Sequence, residues 1–297
     1  MRVPVKAIDI IPGALVQQAV FEPVAALREC VLGAWDIAAL DAANPGALSV
    51  QALPEPGVAL CFQFGDSILI ERDGSTSSFR SHVSGVQNRV LRFTPGGATR
   101  SLVVKLAPHL ASRVLGRPIA DFTDGNVDLR ELFGVRLVDA LEDELAHAHD
   151  ALQRFALAQR FIGERLAAAA CAGDPLMDLA LARIVRCGGR ERVADLAACI
   201  GLGERQFARR FQAHVGLRPK ALARIARLQA ALRARRGGAA WVDAALDAGY
   251  ADQSHWGREF RQAAGAAPQA YFRERDADHR RWNDELGTSV FFNTRFV

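Results

Sequence analysis

Two stretches of this chain place side chains of one chemical kind at helical spacing. In "GERQFARRFQAHVG", residues 203–216, Arg205, Ala208, Arg209 and Gln212 recur every three or four positions. In "DQSHWGREFRQAAG", residues 252–265, the corresponding positions hold Gln253, Ser254, Gly257, Arg258 and Arg261. Positions three and four apart share one face of a helix. The chemistry open to such a face is hydrogen bonding to the edges of bases: Arg donates two bonds to guanine, Gln pairs with adenine, and Ser serves either. Helix N-termini and flanking cations would hold phosphates. A single Arg on an exposed helix is ordinarily just solvated, but the charge balance argues for more. Residues 175–275 carry 18 Arg and Lys against 9 Asp and Glu, while the rest of the chain carries 19 against 24. A basic part joined to an acidic one is the electrostatic footprint of a partner that is a polyanion.

The elements that must position these residues repeat. Opposite the polar face lie Phe207 and Phe211 in the first stretch, and Trp256 and Phe260 in the second. These aromatics are expected to pack on the preceding helix through Leu196 and Ala197, or Ala244 and Ala245. Aligned on Phe211 and Phe260 the copies are 49 residues apart, so that Arg209 falls on Arg258, Gly216 on Gly265 and Pro219 on Pro268. Gly201 and Gly249 are 48 apart, which makes the second turn one residue longer. Each copy reads as helix, turn, helix. "PKALARIARLQAALRARRGG" is a longer helix between them, and two units so joined would address successive major grooves about 10 base pairs apart. Upstream, "PLMDLALARIVRCGG" is a helix closed by two glycines, with Asp174 placed to cap it and Pro175 at its first position.

Residues 175–275 resemble the AraC/XylS family of bacterial transcription regulators, whose DNA-binding domain is seven helices with two helix-turn-helix units joined by a linker helix. The residues that carry the likeness are "LAACIGLGERQFARRFQAHVGLRP", the linker "ARIARLQAALRA" and "AALDAGYADQSHWGREFRQAAGAAPQAYFR". The resemblance implies base-reading positions at Arg205, Gln206, Ala208 and Arg209, and at Gln253, Ser254, His255 and Arg258. It also implies promoter DNA as partner, with RNA polymerase, a small effector and a second copy of the chain as further partners. The effector's own binding residues are not legible.

The first 125 residues or so read differently. Apolar runs of 4 to 8 residues rich in Val, Ile, Leu and Phe stand between Gly, Pro and Ser, and are predicted strands. From Asp128 the spacing turns helical, with Leu137, Leu141, Leu145, Leu152, Phe155, Ile162 and Leu166 as the apolar face and a break near His147 to Asp150. More loosely, this half resembles the sensor halves of the same regulators. The expectation is therefore an α+β, two-domain chain. Residues 1–172 form a mainly-β, cupin-like or sandwich domain with trailing helices, which senses and dimerises. Residues 173–276 form the all-α DNA-binding domain, and 277–297 a tail.

Other chemistries find little footing. The five cysteines (Cys30, Cys61, Cys171, Cys187, Cys199) are scattered without a CxxC pair, which argues against a disulfide framework or structural zinc. His147 and His149 stand two apart on an acidic helix and point to different sides, so they form no ready chelate. "TPGGAT" lacks the Lys-Ser/Thr of a phosphate loop and reads as a turn. No nucleophile with a base and no paired carboxylates stand out, so no catalytic residue, cofactor or metal is expected. No run approaches the roughly 20 apolar residues of a membrane helix, and the N-terminus makes a poor signal peptide, so a cytoplasmic protein is expected. Two alternatives stay open. One is a basic protein binding DNA without sequence preference. The other is a repair methyltransferase on the same DNA-binding fold, which would need clustered activated cysteines.

Overall fold

A computed structural model describes residues 5–11, 14–40, 50–169 and 174–273. The division at 172/173, Cys171 and the tail 277–297 lie outside them. The strand-rich reading of the first half holds. The strands are β1 Val5–Ile11, β2 Ala14–Phe21, β3 Val31–Leu40, β4 Val50–Ala52, β5 Val58–Gln63, β6 Ile68–Arg72, β7 Ser75–Phe79, β8 His82–Ser84, β9 Leu91–Pro95, β10 Thr99–Leu106 and β11 Asn126–Asp128. They form two antiparallel sheets, one ordered β1-β2-β3-β10-β5-β8-β11 and the other β4-β9-β6-β7. The β6–β7 hairpin turns on Asp73 (φ 48°) and Gly74 (φ 80°), the two left-handed residues that a two-residue turn of this hand requires. "TPGGAT" is the turn that carries the chain from β9 in one sheet to β10 in the other. It is pinned by Gly96 N–H donating to the Ser67 carbonyl at 2.9 Å and Ala98 N–H to Asp66 Oδ2 at 2.8 Å.

Strand alternation gives the larger sheet two faces of different character. Val58, Leu60 and Phe62 on β5, with Leu102, Val104 and Leu106 on β10, are buried in one apolar cluster with helix residues Phe155, Phe161 and Ile162. Phe21 stacks on Phe155 at 4.9 Å between centroids, and Phe62 meets Phe161 edge-on at 5.9 Å. The alternate positions include buried polar residues, Gln63, His82, Ser101 and Lys105, beside Ala59, Cys61 and Val103. Ser101 Oγ donates to Gln63 Oε1 at 2.7 Å and Lys105 Nζ is paired to Glu55, whereas His82 donates Nδ1–H to the Arg80 carbonyl at 2.8 Å and leaves Nε2 without a partner.

The helices are α1 Pro108–Leu115, α2 Leu129–Phe133, α3 Val135–His147, α4 Ala151–Ala168, α5 Pro175–Arg186, α6 Val193–Cys199, α7 Glu204–Val215, α8 Pro219–Arg236, α9 Trp241–Asp247, α10 Gln253–Ala264 and α11 Pro268–Arg273. α1 corrects the reading of the first 125 residues as strands and turns. Pro108 opens it and left-handed Gly116 closes it, but its eight residues are too few to show a period of their own. The break near His147 to Asp150 is present, with Asp150 capping α4 by accepting from Gln153 N–H. The apolar face of α3 is rotated from the expected one, with Val138, Leu141 and Leu145 buried and Leu137 exposed; on α4, Leu152 is exposed as well. Asp174 caps α5 as expected, accepting from Met177 N–H at 3.3 Å.

The chain is thus a mainly-β half with trailing helices and an all-helical half of seven, α5–α11. Two apolar clusters hold the helical half. The first runs unbroken from the sheet through α1 and α4 into α5, α6, α7 and the start of α8, up to Ala226. The second gathers Leu228, Ala231 and Leu232 of α8 with Ala245, Tyr250, Trp256, Phe260 and Tyr271. No helix among the described residues is long and apolar enough to cross a membrane.

Candidate nucleic-acid interface

The repeat is a repeat in space. α6 and α7 form the first unit, α9 and α10 the second. In each, an αL glycine sits in the turn, Gly201 (φ 71°) and Gly249 (φ 89°), and another ends the second helix, Gly216 (φ 80°) and Gly265 (φ 76°). The N–H groups of the closing glycines donate to Gln212 and Arg261 carbonyls at 2.8 and 2.9 Å, equivalent bonds in the two copies. The units differ at the start of the second helix. α7 begins on Gly203 without a side-chain cap, while Asp252 caps α10 by accepting from His255 N–H at 2.7 Å.

The aromatic faces are core, as their spacing implies. Phe207 and Phe211 are fully buried with centroids 5.5 Å apart and share a cluster with Leu196 and Ala197. Trp256 and Phe260 repeat this at 5.2 Å, and Trp241 stacks on Trp256 at 5.5 Å. Burying an aromatic of this size contributes on the order of 2–3 kcal/mol, enough to fix which way each helix turns its other face.

That other face carries Arg205, Gln206, Arg209 and Gln212 on α7, all exposed, with Ala208 half-buried between them. On α10, Gln253, Ser254, Arg258 and Arg261 are exposed. The ring of His255 is half-buried instead, lying 5.3 Å from the Tyr250 ring with Nε2 3.4 Å from Glu259. It belongs more to the frame of the second unit than to its outer face.

Pairing separates the cations. Arg210 is bound to Asp174, Arg183 to Glu191 and Arg227 to Glu259, so these cations brace the helices. Among the described residues, the side chains of Arg205, Arg209, Arg258 and Arg261 make no hydrogen bond or ion pair. They are exposed, uncommitted and grouped on the outer faces of α7 and α10. A guanidinium pair of this kind offers forked donors to a base edge or a phosphate.

Among the described residues, cysteine chemistry has no comparable setting. Burial pushes the Cys30 and Cys61 thiols up to about 12, away from the thiolate that acts as a nucleophile. Cys187 is half-buried, and Cys199 is exposed 2.9 Å from Arg183 Nη1. No group of three or more His, Cys, Asp or Glu among the described residues is arranged to hold a metal.

Several contacts that bear on the site escape the sequence. Thr123 Oγ1 donates to the Val215 carbonyl at 2.6 Å, Val90 N–H to the Ala263 carbonyl at 3.1 Å, and Gln229 Nε2 to the Pro54 carbonyl at 2.6 Å. Each ties the helical half to the β-rich half. A cleft of about 490 Å³ opens between the halves, walled by Glu71, Arg89 and Leu91 on one side and Arg224, Leu228 and Tyr250 on the other.

Residues 196–274 match the family described as a helix-turn-helix domain, and residues 19–128 match a domain of unknown function, DUF6597. No curated protein matches the chain. Among solved structures, the chain is similar to ToxT from Vibrio cholerae, at 10% identity and a TM-score of 0.44, over 86% of this chain and 97% of that one. ToxT K231A from V. cholerae strain SCE256 is similar at 11% and 0.44, over 87% and 96%. The AraC-like transcriptional activator CuxR is similar at 14% and 0.29, over 82% and 90%.

Proposed function

We propose that this chain, a transcription regulator of the AraC family, reads promoter DNA sequence with α7 and α10 and adjusts that reading to a signal received by its β-rich half. The observation that carries the reading is the set of exposed, uncommitted side chains on the two helices: Arg205, Gln206 and Arg209 on one, and Gln253, Ser254, Arg258 and Arg261 on the other. Gln212 stands on the same face of α7, its Oε1 accepting from Arg218 Nε at 3.4 Å. Recognition helices contact base edges chiefly with their N-terminal residues, and Arg205, Gln206, Gln253 and Ser254 stand in the first turns of α7 and α10. Ala208 offers only a methyl, suited to a thymine, and His255 supports the first turn of α10 from behind.

In this reading the chain divides into a sensor half, residues 1–172, and a DNA-binding half, residues 173–276. A small effector would act by binding one arrangement of the two halves better than another, since a ligand shifts a population only by its differential affinity. The cleft walled by both halves is a place where such a ligand would bear on their arrangement. A homodimer would double the footprint and tighten binding through effective concentration.

The test is a comparison of affinities at matched salt. DNA selected from a random pool by the full chain should be bound at least about 1,000-fold more tightly than random genomic fragments. A ratio near one would leave only the reading as a non-specific, basic DNA-binding protein. Absence of methyl transfer from alkylated DNA to the protein would dispose of the repair reading.

A further inference from the structure

The two recognition helices end against the sensor half in the same manner. The last carbonyls of a helix lack intrahelical partners, and in both helices one of them is met by a donor from the β-rich half. Thr123 Oγ1 serves Val215 at the end of α7, and Val90 N–H serves Ala263 at the end of α10. The approach at the first is close: a Cβ on Gly216 would lie 2.6 Å from Thr123 Oγ1 and 3.0 Å from Ala120 Cα. Both contacts fall at the helix ends opposite Arg205 and Gln253, so DNA could be engaged with them in place.

The two donors are not independent. Val90 ends the segment 86–90, Thr123 begins the segment 123–126, and these segments are bonded to each other. Asn88 N–H donates to Asp124 Oδ1 at 2.6 Å, Asp124 N–H to the Val86 carbonyl at 2.9 Å, and Gln87 Nε2 to the Gly125 carbonyl at 3.3 Å. Arg72, from the end of β6, knits them further. Its Nη2 donates to Gln87 Oε1 at 3.0 Å and Asn126 Oδ1 at 2.7 Å, and its Nη1 to the Asp124 carbonyl. Asp124 sits at φ 51°, a conformation that non-glycine residues keep only where their surroundings impose it. Meanwhile the two helix-turn-helix units pack into separate apolar clusters, the first ending at Ala226 and the second starting at Leu228 of α8, with Arg190 Nη1 donating to the Asp247 carbonyl at 3.4 Å as a polar tie outside α8. The break between the apolar clusters along α8 is the hinge available to the units, and the β-rich half spans it.

We propose that segments 86–90 and 123–126, locked together by Arg72, Gln87 and Asp124, form a bracket that holds α7 and α10 at one separation and so sets which spacing between two DNA boxes the protein accepts. Thr123, Arg72 and Asp124 are then positioning residues: they touch no base, yet they restrict where the base-reading residues can stand. The proposal rests on the reading of α7 and α10 as recognition helices. It also states how the sensor half would govern DNA binding, because a change that parts the two segments frees one helix from the other.

The experiment is a selection from random DNA with the full chain, followed by affinity measurements on the selected two-box site, the same site with one base pair inserted between the boxes, and a single box. The variants are Thr123→Val, which removes the hydroxyl at constant volume, Arg72→Met, and Thr123→Ser, which keeps the hydroxyl. Melting followed by circular dichroism checks that each is folded. Wild type should select two boxes at one spacing and discriminate against the inserted base pair. In Thr123→Val and Arg72→Met that discrimination should fall by roughly 3- to 10-fold, the worth of one hydrogen bond, with single-box affinity unchanged. Thr123→Ser should restore it. Folded variants that keep the wild-type spacing ratio overturn the bracket while leaving the DNA reading intact. A wild-type protein that selects no sequence overturns the reading beneath it as well.

Discussion

Arg154 on α4 forms a two-bonded ion pair with Asp36 on β3, Nε to Oδ2 and Nη2 to Oδ1, with both side chains about nine-tenths buried. The guanidinium also lies 5.4 Å from the Phe64 ring centroid and donates to the Ala148 carbonyl at 3.2 Å. This pair fastens the trailing helices to the sheet. Removing one partner of a buried pair strands the other, so Asp36→Ala should cost about 3–5 kcal/mol in urea unfolding. The double variant Asp36→Ala, Arg154→Met should recover much of that. A single variant costing under 1 kcal/mol would mean that the pair is effectively solvated.

Two left-handed glycines of the helical half should respond differently to the same substitution. A Cβ on Gly201 (φ 71°) meets nothing within 4 Å, so Gly201→Ala should cost only the backbone penalty, about 1–2 kcal/mol. At Gly189 (φ 68°) a Cβ would lie 2.0 Å from the Ala223 carbonyl oxygen of α8. Gly189→Ala must therefore displace α8 and should cost clearly more in thermal unfolding. Equal losses at the two positions would show that the loop 187–192 adjusts without strain.

His82 makes stability depend on pH. It is 1% exposed, its Nδ1–H donates to the Arg80 carbonyl at 2.8 Å, and Nε2 is buried without a partner. Burial, opposed by that bond and by Asp128, lowers its pKa from 6.5 to about 4. Between those values the unfolded chain takes up a proton that the folded chain refuses, so stability falls as pH drops through this window. The loss is on the order of 3 kcal/mol. His82→Asn keeps a donor for the Arg80 carbonyl and does not titrate. Denaturant unfolding at pH 7, 5.5 and 4 should show the wild type losing ground to the variant as pH falls, and parallel profiles would refute the assignment.

The helix-turn-helix units were legible because their pattern is local. Phe207 and Phe211, or Trp256 and Phe260, report a helix face within four residues, and the 49-residue echo reports that the frame recurs. Contacts such as Thr123 to Val215, 92 residues apart, leave no such mark. Nor does the buried polar face of the larger sheet, since "SLVVKL" in β10 reads as an apolar run while Lys105 and Ser101 turn inward. On α3, Leu137 and Val138 are equally apolar neighbours, and packing alone decides that Val138 is covered and Leu137 is not. Which cations stay uncommitted was also hidden. Arg209 and Arg210 are adjacent and chemically identical, and only Asp174 tells them apart.

That last contrast supplies the most direct test of the central claim. Arg209→Ala and Arg210→Ala should be compared on a panel in which the selected DNA site is changed one base pair at a time. Arg209→Ala should lose roughly 1–3 kcal/mol on the selected site and become indifferent at one base position, with unfolding stability unchanged. Arg210→Ala should keep the base preferences and lose stability instead. If Arg209→Ala weakens binding equally on every sequence, or not at all, α7 does not read the bases with this residue and the account is contradicted.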